Sequence, residues 1–283
     1  MESKNKHMVN GVLVPPFITQ ERLDKLKDFS LRPDDIWVVT YPKAGTTWTQ
    51  QIVRLAQNGG VDDGQKISTS VPWLEGLNNY PEVNIECLQI PRAFKSHSSY
   101  DLMPCGLPNI MPGKYIYVTR NPKDVAVSYF NVYKSLVFVE PNLSWDDFFE
   151  DFLAGRVLFG GYFDHVLSWW PHRNDENVLF LKYEDMKKDL LSAVTKIVKF
   201  CGFNLDEEVI KEIASKSTFE NMKGDPLVNY SWSKLYRQDG TPFMRKGEVG
   251  DWKNYFSEEQ SKRIDAIYLN RFKPVGLELD FVL

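Results

Sequence analysis

Residues 40–48, with the sequence TYPKAGTTW, limit the fold of this chain more than any other segment. They follow an apolar, β-branched run at residues 36–40 and precede a helical pattern with Trp48, Ile52 and Leu55 at i, i+4 and i+7. A buried strand that leads directly into a helix is typical of sheets whose strands run parallel. The segment therefore predicts an α/β fold, in which ligands bind beyond the carboxyl ends of the strands.

Four positions in this segment have the chemistry of an anion site. Gly45 lets the backbone approach a ligand closely, and a helix start offers unpaired N–H groups at the positive end of the helix dipole. Lys43 adds a charge, and Thr46 and Thr47 add hydroxyl donors. In the nucleotide P-loop the Lys follows the second Gly, whereas here Lys43 precedes Gly45, and no apolar strand ends in an Asp suited to Mg²⁺. We predict a phosphate cradle of another kind; the alternative is a plain turn with a solvated Lys.

The rest of the chain continues to alternate strands and helices. Residues 115–119 and 178–183 are two more apolar strand patterns. Helical patterns and caps predict helices at residues 121–129, 144–152, 163–170, 190–200, 206–215 and 257–272. Because there is no internal repeat and no linker, we expect one domain over residues 1–283. This domain would have a central parallel sheet flanked by helices, with a mobile tail at residues 1–10.

Composition and charge exclude several classes of protein. Apolar residues make up 43% of the chain and charged residues 25%, which excludes a disordered, collagenous or coiled-coil chain. The net charge of −4 disfavours binding to duplex nucleic acid, which requires a basic surface. Three cysteines without CxxC spacing indicate reduced thiols rather than a zinc site, and no apolar run is long enough to cross a bilayer. We expect a cytoplasmic protein with neither nucleic acid nor membrane as a partner.

A second cluster of polar residues lies in the segment RAFKSH, residues 92–97. Lys95 and His97 are two residues apart, so in an extended segment their side chains point to the same side. A histidine alone is more often structural than catalytic. Beside Lys95, in a chain that also has a phosphate cradle, His97 is the leading candidate for a general base.

Two further basic clusters lie where an anion can be held. Arg120 follows a predicted strand, and Ser128 lies two helical turns beyond it, so both can reach one anion. The segment FMRKGEVGDW, residues 243–252, is a loop in which Arg245 and Lys246 precede a glycine. Taken alone, the first cluster is also consistent with a salt bridge at a strand end, and the second with a solvated pair. Together the clusters predict a ligand that carries two anionic groups.

Several separated motifs resemble one known family. The segments RPDDIWVVTYPKAGTTW, RNPKDVAVSYF, KYEDM and FMRKGEVGDWKN make the chain similar, nearly end to end, to the animal cytosolic sulfotransferases. These enzymes take a sulfuryl group from 3′-phosphoadenylyl sulfate (PAPS) and release the desulfated nucleotide PAP. The resemblance implies a single α/β domain, PAPS as donor, PAP as product, no metal and a small-molecule acceptor.

Carried over by position, the resemblance implies a catalytic set. Lys43 would stabilise the leaving oxygen, Lys95 would stabilise the transferring sulfuryl oxygens, and His97 would accept the acceptor's proton. Ser128 completes this set.

The resemblance also implies how the donor is held. The segment of residues 43–48 would bind the 5′-phosphosulfate, with Trp48 stacked on the adenine. Arg120, Ser128 and residues 245–247 would hold the 3′-phosphate. The full donor-binding set implied in this way is Lys43, Ala44, Gly45, Thr46, Thr47, Trp48, Arg120, Ser128, Tyr183, Ser217, Phe219, Met222, Phe243, Arg245, Lys246 and Gly247. Ala44 replaces the commoner Ser of the family's loop.

The acceptor pocket is predicted from fewer residues. Phe17 and Trp73 would lie beside Lys95 and His97, and Val132 stands where many phenol-preferring relatives carry Phe, which widens one wall. Aromatic walls favour flat apolar guests, and a phenol loses its proton more readily than an alkyl alcohol does. We expect a neutral phenolic acceptor somewhat bulkier than a single ring, with aliphatic alcohols and amines as poorer substrates.

The resemblance fails at the family's small dimerisation motif, K-x-x-x-T-V-x-x-x-E. The aligned stretch KNYFSEEQSK begins with Lys253 but has Ser257, Glu258 and Lys262 at the other three positions. Lys262 reverses a charge that would have paired across the two-fold axis. We expect a monomer or a weak homodimer.

Two other functions remain open from the sequence. A P-loop-type phosphotransferase would use ATP and Mg²⁺, and a catalytically silent relative would bind a nucleotide without turnover. The lack of a metal-binding Asp disfavours the first function. The presence of Lys43, Lys95, His97 and Ser128 disfavours the second.

Overall fold

A computed structural model of the chain describes residues 7–77, 83–237 and 240–283. Two short strands, β1 (His7–Val9) and β2 (Val12–Val14), form an antiparallel hairpin. The central sheet consists of β3 (Ile36–Thr40), β4 (Ala93–Ser96), β5 (Lys114–Thr119) and β6 (Val178–Lys182). Its order is β4-β3-β5-β6, and every neighbouring pair is parallel, which confirms the predicted fold class.

Helices cover both faces of this sheet. They are α1 (Gln20–Lys27), α2 (Thr46–Gln57), α3 (Ile67–Ser70), α4 (Pro122–Tyr133), α5 (Trp145–Leu153), α6 (Tyr162–Trp169), α7 (Tyr183–Lys188), α8 (Leu190–Cys201), α9 (Glu207–Lys216), α10 (Phe219–Gly224) and α11 (Glu258–Arg271). The predicted caps form: Asn121 caps α4, Ser144 caps α5, and Ser257 with Gln260 makes a capping box at α11. Within the described ranges, no helix combines the length and the apolar character needed to span a bilayer.

The side chains of β3 alternate between two cores. Ile36 and Val38 pack on the face covered by α2 and α8, whereas Trp37 and Val39 pack on the face that contains Phe94. All five residues of this strand are buried. A strand buried on both sides has no polar face, which explains its unbroken apolar sequence.

The parallel register brings the carboxyl ends of the strands to one edge of the sheet. Val39 is level with Ser96, Thr40 with Val118, and Thr119 with Lys182. The residues that follow these strands therefore emerge side by side. They include the segment of residues 40–48 and three of the predicted site residues, His97, Arg120 and Tyr183.

One prediction is wrong in part. A mobile tail was expected for residues 1–10, but His7–Val9 pairs with Val12–Val14. The turn between them is Asn10-Gly11, with φ of 51° and 76°, and this dipeptide favours the tight turn of a two-residue hairpin. Residues 1–6 lie outside the described residues.

The surface near the start of α11 bears on assembly. Lys262 Nζ lies 2.5 Å from Glu258 Oε1, and both side chains are largely exposed. Lys262 therefore already has a partner within its own chain, in addition to reversing the charge that the family's motif carries at this position.

We predict that the protein is largely monomeric at micromolar concentration. The family's dimerisation motif is already small for a stable interface, and the residues at 257, 258 and 262 depart from it here. Sedimentation equilibrium should give a mass near 32.9 kDa. The triple variant Ser257→Thr, Glu258→Val, Lys262→Glu restores the family's motif and should raise the dimer fraction. A stable mass near twice the monomer's in the unaltered protein would contradict the prediction.

Candidate active site

A cleft opens at the carboxyl edge of the sheet and brings together nearly all the predicted site residues. Those that line it are Phe17, Lys43, Gly45, Thr46, Thr47, Trp48, Trp73, Lys95, His97, Arg120, Ser128, Val132, Tyr183, Phe219, Met222, Phe243, Arg245, Lys246 and Gly247. They come from positions far apart in the chain, and the parallel register of the sheet is what makes them neighbours.

Two predicted donor residues lie outside this lining. Ala44 is fully buried in the core, and its N–H donates to the carbonyl oxygen of Tyr41 at 3.1 Å. Ser217 is also fully buried, and its carbonyl oxygen accepts a 2.7 Å hydrogen bond from Trp48 Nε1. Ser217 thus helps to position the Trp48 ring through its backbone carbonyl oxygen.

The turn before α2 has the backbone geometry of an anion cradle. Lys43 and Gly45 have φ of 70° and 124°, and a Cβ on Gly45 would lie 3.2 Å from the Tyr183 ring. At position 45, only glycine allows both the positive φ and the close approach to the Tyr183 ring without strain. As the N-cap, Gly45 has no side chain to bond the first N–H groups of the helix, which therefore remain available to an anion. Thr40 Oγ1 and Thr46 Oγ1, 2.5 Å apart, tie the two ends of the turn together.

The charge of Lys43 is strongly perturbed. Burial, together with the positive charges of Arg120, Lys95 and Arg245, lowers the pKa of Lys43 to about 7. Its Nζ lies 3.6 Å from the centroid of the Phe243 ring and 3.4 Å from that residue's carbonyl oxygen. An anion bound among these cations would favour the charged form and raise this pKa again.

His97 and Lys95 emerge from β4 on the same side, as the two-residue spacing predicts. The Trp73 ring contacts both: its centroid lies 4.9 Å from Lys95 Nζ and 5.5 Å from the His97 centroid. His97 Nδ1 lies 2.9 Å from the carbonyl oxygen of Thr40. Because a carbonyl oxygen can only accept, Nδ1 carries the hydrogen and Nε2 keeps its lone pair.

The protonation states of this pair follow from burial. Desolvation and the positive charge of Lys95 hold the pKa of His97 well below its usual range, so the imidazole is neutral at pH 7. Desolvation lowers the pKa of Lys95 to about 8, which leaves it mostly protonated at pH 7. The cleft thus places a neutral base next to a cation.

Arg120 follows β5 and spans the floor of the cleft. Its Nη2 donates to the Glu248 carbonyl oxygen at 2.5 Å, and its guanidinium carbon lies 4.2 Å from the centroid of the Tyr183 ring. Its Nε is buried and has no hydrogen-bond partner among the described residues. A buried donor without a partner is costly, so this atom indicates a place for a ligand acceptor.

The loop at residues 243–252 closes the other side of the cleft. Tyr183 Oη donates to the Gly247 carbonyl oxygen at 3.1 Å. Gly247 has a φ of 66°, and a Cβ there would overlap the Phe219 ring. Only glycine fits, so the backbone lies directly against this aromatic side chain.

Two carboxylates hold this loop in place. Asp124 accepts hydrogen bonds from Gly250 N at 2.8 Å and Trp252 N at 3.0 Å, which ties the loop to α4. Asp251 forms ion pairs with Arg245 and Lys246. Neither carboxylate stands out from the sequence alone, although Asp124 lies in the motif RNPKDVAVSYF and Asp251 in FMRKGEVGDWKN.

The far end of the cleft is apolar. Phe17 and Trp73 meet edge to face at 5.6 Å, and the Phe159 ring lies 5.2 Å from His97. Several further residues that the sequence did not predict also line the cleft: Pro15, Tyr129, Leu136, Phe138, Leu158, Phe159, Leu235, Tyr236 and Met244. One signal was available in the sequence, since Phe159 precedes two glycines; in the structure its φ is 66°.

Comparison with known proteins decides the family. A model of the sulfotransferase domain matches residues 33–276. The chain belongs to the sulfotransferase family. It is therefore an enzyme of that family, as the resemblance implied.

The relatives of this sulfotransferase cover nearly its whole length. An amine sulfotransferase from Oryctolagus cuniculus is 44% identical, over 98% of this chain and 95% of the relative. Sulfotransferase 1C2 from Rattus norvegicus is 39% identical, over 100% and 96%. Among solved structures, mouse sulfotransferase SULT7A1 complexed with PAP has a TM-score of 0.73 and 31% identity, over 94% of each chain. Retinol dehydratase, in complex with androsterone and inactive cofactor PAP, has a TM-score of 0.83 and 27% identity, over 96% and 90%.

Proposed function

We propose that this sulfotransferase moves a sulfuryl group from PAPS to the hydroxyl of a small, neutral phenol, with His97 as general base. One observation carries the proposal. A single cleft joins a cationic end, built around Lys43 and Arg120, to an apolar aromatic end, and His97 stands at the junction with Lys95. A doubly anionic donor and an apolar acceptor fit these two ends.

The residues present fit the donor. The helix start after Gly45 and the charge of Lys43 suit the 5′-phosphosulfate, and the unpartnered Nε of Arg120 suits the 3′-phosphate. Arg245 and Lys246 each pair with Asp251 through part of their donor groups, and their remaining N–H donors suit a phosphate. The PAP complexes of two structural relatives support this assignment. When bound, PAPS supplies the sulfuryl group; no metal enters the proposal.

The proposed chemistry uses three side chains of this protein. His97 Nε2 accepts the proton of the acceptor hydroxyl, while its Nδ1–H stays on the Thr40 carbonyl oxygen and keeps the ring oriented. Lys95 offers its charge to the transferring oxygens, and Lys43 offers its charge to the leaving oxygen. The pKa of Lys43 is about 7, and an anionic donor beside it would raise this pKa and favour the charged form.

The acceptor end supports a neutral, flat guest. Its described lining is aromatic and aliphatic, and the acidic residue in the described lining, Glu248, belongs to the loop at the donor end. Val132 is small and 7% exposed, so this wall leaves more room than Phe would. A cationic acceptor would find no carboxylate partner among the described residues at this end.

A second acceptor class has one observation in its favour. The relative with 44% identity is named an amine sulfotransferase. A neutral amine could also use His97 as base against the same apolar wall. We also propose a cytosolic location, since the three cysteines are free thiols, which suits a reducing compartment.

The acceptor prediction is tested by labelled PAPS with 2-naphthol, dehydroepiandrosterone, dopamine and 2-naphthylamine. We expect kcat/KM to be at least about 10-fold higher for 2-naphthol, because a phenol combines aromatic packing with easier deprotonation. A preference for either amine or for the steroid would overturn the phenol assignment. Transfer of phosphate from ATP with Mg²⁺, and none from PAPS, would overturn the whole proposal.

His97→Ala should lower kcat by about 10²–10⁴, the usual effect of removing a general base. Its affinity for PAP should stay within several-fold, because His97 is assigned to the acceptor's proton. The control is His172→Ala, since His172 lies outside the cleft and pairs with Asp175. A His97→Ala protein that retains half of the original kcat would refute the assignment.

Arg245→Ala and Ser128→Ala should weaken binding of PAP more than binding of AMP, which lacks the 3′-phosphate. Each lost charge-assisted hydrogen bond should cost about 10- to 150-fold in affinity for PAP. Calorimetric titration with both nucleotides measures the ratio. Lys253→Ala, close to the loop but outside the cleft lining, is the matched control. Equal losses for PAP and AMP would show that the two residues do not hold the 3′-phosphate.

A further inference from the structure

One buried carboxylate has no part in the chemistry described so far. Glu75 is 3% exposed, and its Oε1 accepts hydrogen bonds from the hydroxyls of Ser96 and Ser98, the latter at 3.0 Å. These two serines flank His97 on either side. Ser98 N also donates to Ser96 Oγ at 3.0 Å. The two serines beside His97 are therefore bonded to each other and to the same carboxylate oxygen.

The backbone next to Glu75 is also joined to the strand of Lys95. Lys95 N donates to the Pro72 carbonyl oxygen at 2.8 Å, and Leu74 N donates to the Lys95 carbonyl oxygen at 3.2 Å. Glu75 is therefore fixed relative to Lys95 by backbone hydrogen bonds.

Charge connects Glu75 to Lys95 as well. Burial lowers the pKa of Lys95, and the negative charge of Glu75 opposes this effect, which leaves the pKa at about 8. The other titratable groups near Lys95 are His97, which is neutral, Lys43, which is cationic or neutral, and Tyr230, whose ring centroid lies 5.6 Å from Lys95 Nζ. Glu75 therefore supplies the nearby negative charge that favours the ammonium form of Lys95.

Glu75 itself sits in a mixed environment. Burial is the largest influence on Glu75 and raises its pKa above the usual value, although the serine hydrogen bonds and the charge of Lys95 oppose this effect; Arg22 and the thiol of Cys105 also interact with it. Its Oε2 is buried without a partner among the described residues. A cavity of about 40 Å³ is lined partly by Glu75, Ser98 and His97.

We propose that Glu75 is a positioning residue of the sulfuryl-transfer site, which orients His97 through the two flanking serines and keeps Lys95 protonated. The inference rests on the proposed roles of His97 and Lys95. It assigns two separable effects to one side chain: hydrogen bonds that set geometry, and a charge that sets protonation.

Two variants of Glu75 separate these effects. Glu75→Gln keeps an accepting oxygen but removes the charge, so the pKa of Lys95 falls further. The alkaline limb of kcat against pH, measured with PAPS and 2-naphthol, should move about one unit lower. Glu75→Asp keeps the charge but shortens the side chain, so the limb should stay in place while kcat falls about 10-fold at every pH.

Two controls guard against a purely structural effect. Ser98→Ala removes one hydrogen bond and keeps the charge, so kcat should fall with no movement of the alkaline limb. The affinity of every variant for PAP should stay within about twofold, because PAP lacks the sulfuryl group that Lys95 serves. An unshifted limb in Glu75→Gln would overturn the charge assignment.

The test remains decisive if Glu75→Gln does not fold. Unchanged kcat in both Glu75→Asp and Ser98→Ala would overturn the positioning role, and a shifted limb in either would overturn the separation of the two effects. Failure of the proposed function looks different. In that case the unaltered protein would transfer no label from PAPS to 2-naphthol, and no profile could be recorded for any variant.

Discussion

Cationic side chains from four separate segments share one partly dry cleft, and the rest of the site depends on this crowding. Burial, together with the positive charges of Arg120, Lys95 and Arg245, lowers the pKa of Lys43 to about 7. Like charges at low dielectric repel, so bringing these side chains together costs free energy. A multiply charged anion removes that cost, which makes a doubly anionic nucleotide a better ligand than a neutral one of the same shape.

The fold meets this cost with carboxylates placed behind the cations. Asp124 holds the loop that carries Arg245, and Asp251 pairs with that arginine directly. Glu184 accepts from Asn121 N at 2.7 Å at the start of α4, and burial raises its pKa to about 7. The acidic groups face the scaffold and the basic groups face the ligand. This arrangement reconciles a net charge of −4 with a strongly positive cleft.

The sequence predicted those elements that are determined by residues close together in the chain. The strands at residues 36–40 and 115–119, the caps at Asn121 and Ser257, and the turn around Gly45 each follow from short-range patterns, and the structure confirms them. Helix α4 continues four residues past its predicted end at residue 129, because buried apolar side chains extend the pattern.

The parts that sequence did not predict depend on contacts between distant residues. Glu75 meets Ser96 and Ser98 across a gap of about twenty residues, and Asp124 meets Gly250 across more than a hundred. No periodicity encodes such pairs. The same reason explains why Ala44 and Ser217 lie outside the cleft lining: the motif gives their positions along the chain, whereas packing decides which way each side chain faces.

In the proposed function, the aromatic end of the cleft links the choice of acceptor to the protonation state of His97. The rings of Trp73 and Phe159 that would pack against an acceptor also contact His97 and exclude water from it. Exclusion of water is the largest cause of the lowered pKa of His97. A wider, wetter wall would admit larger acceptors but would let this pKa rise toward neutrality, and part of the imidazole would then be protonated and unable to act as a base. In the proposed function, neutral acceptors that fill the wall without bringing water leave His97 neutral, so the packing that favours their shape also keeps the Nε2 lone pair available.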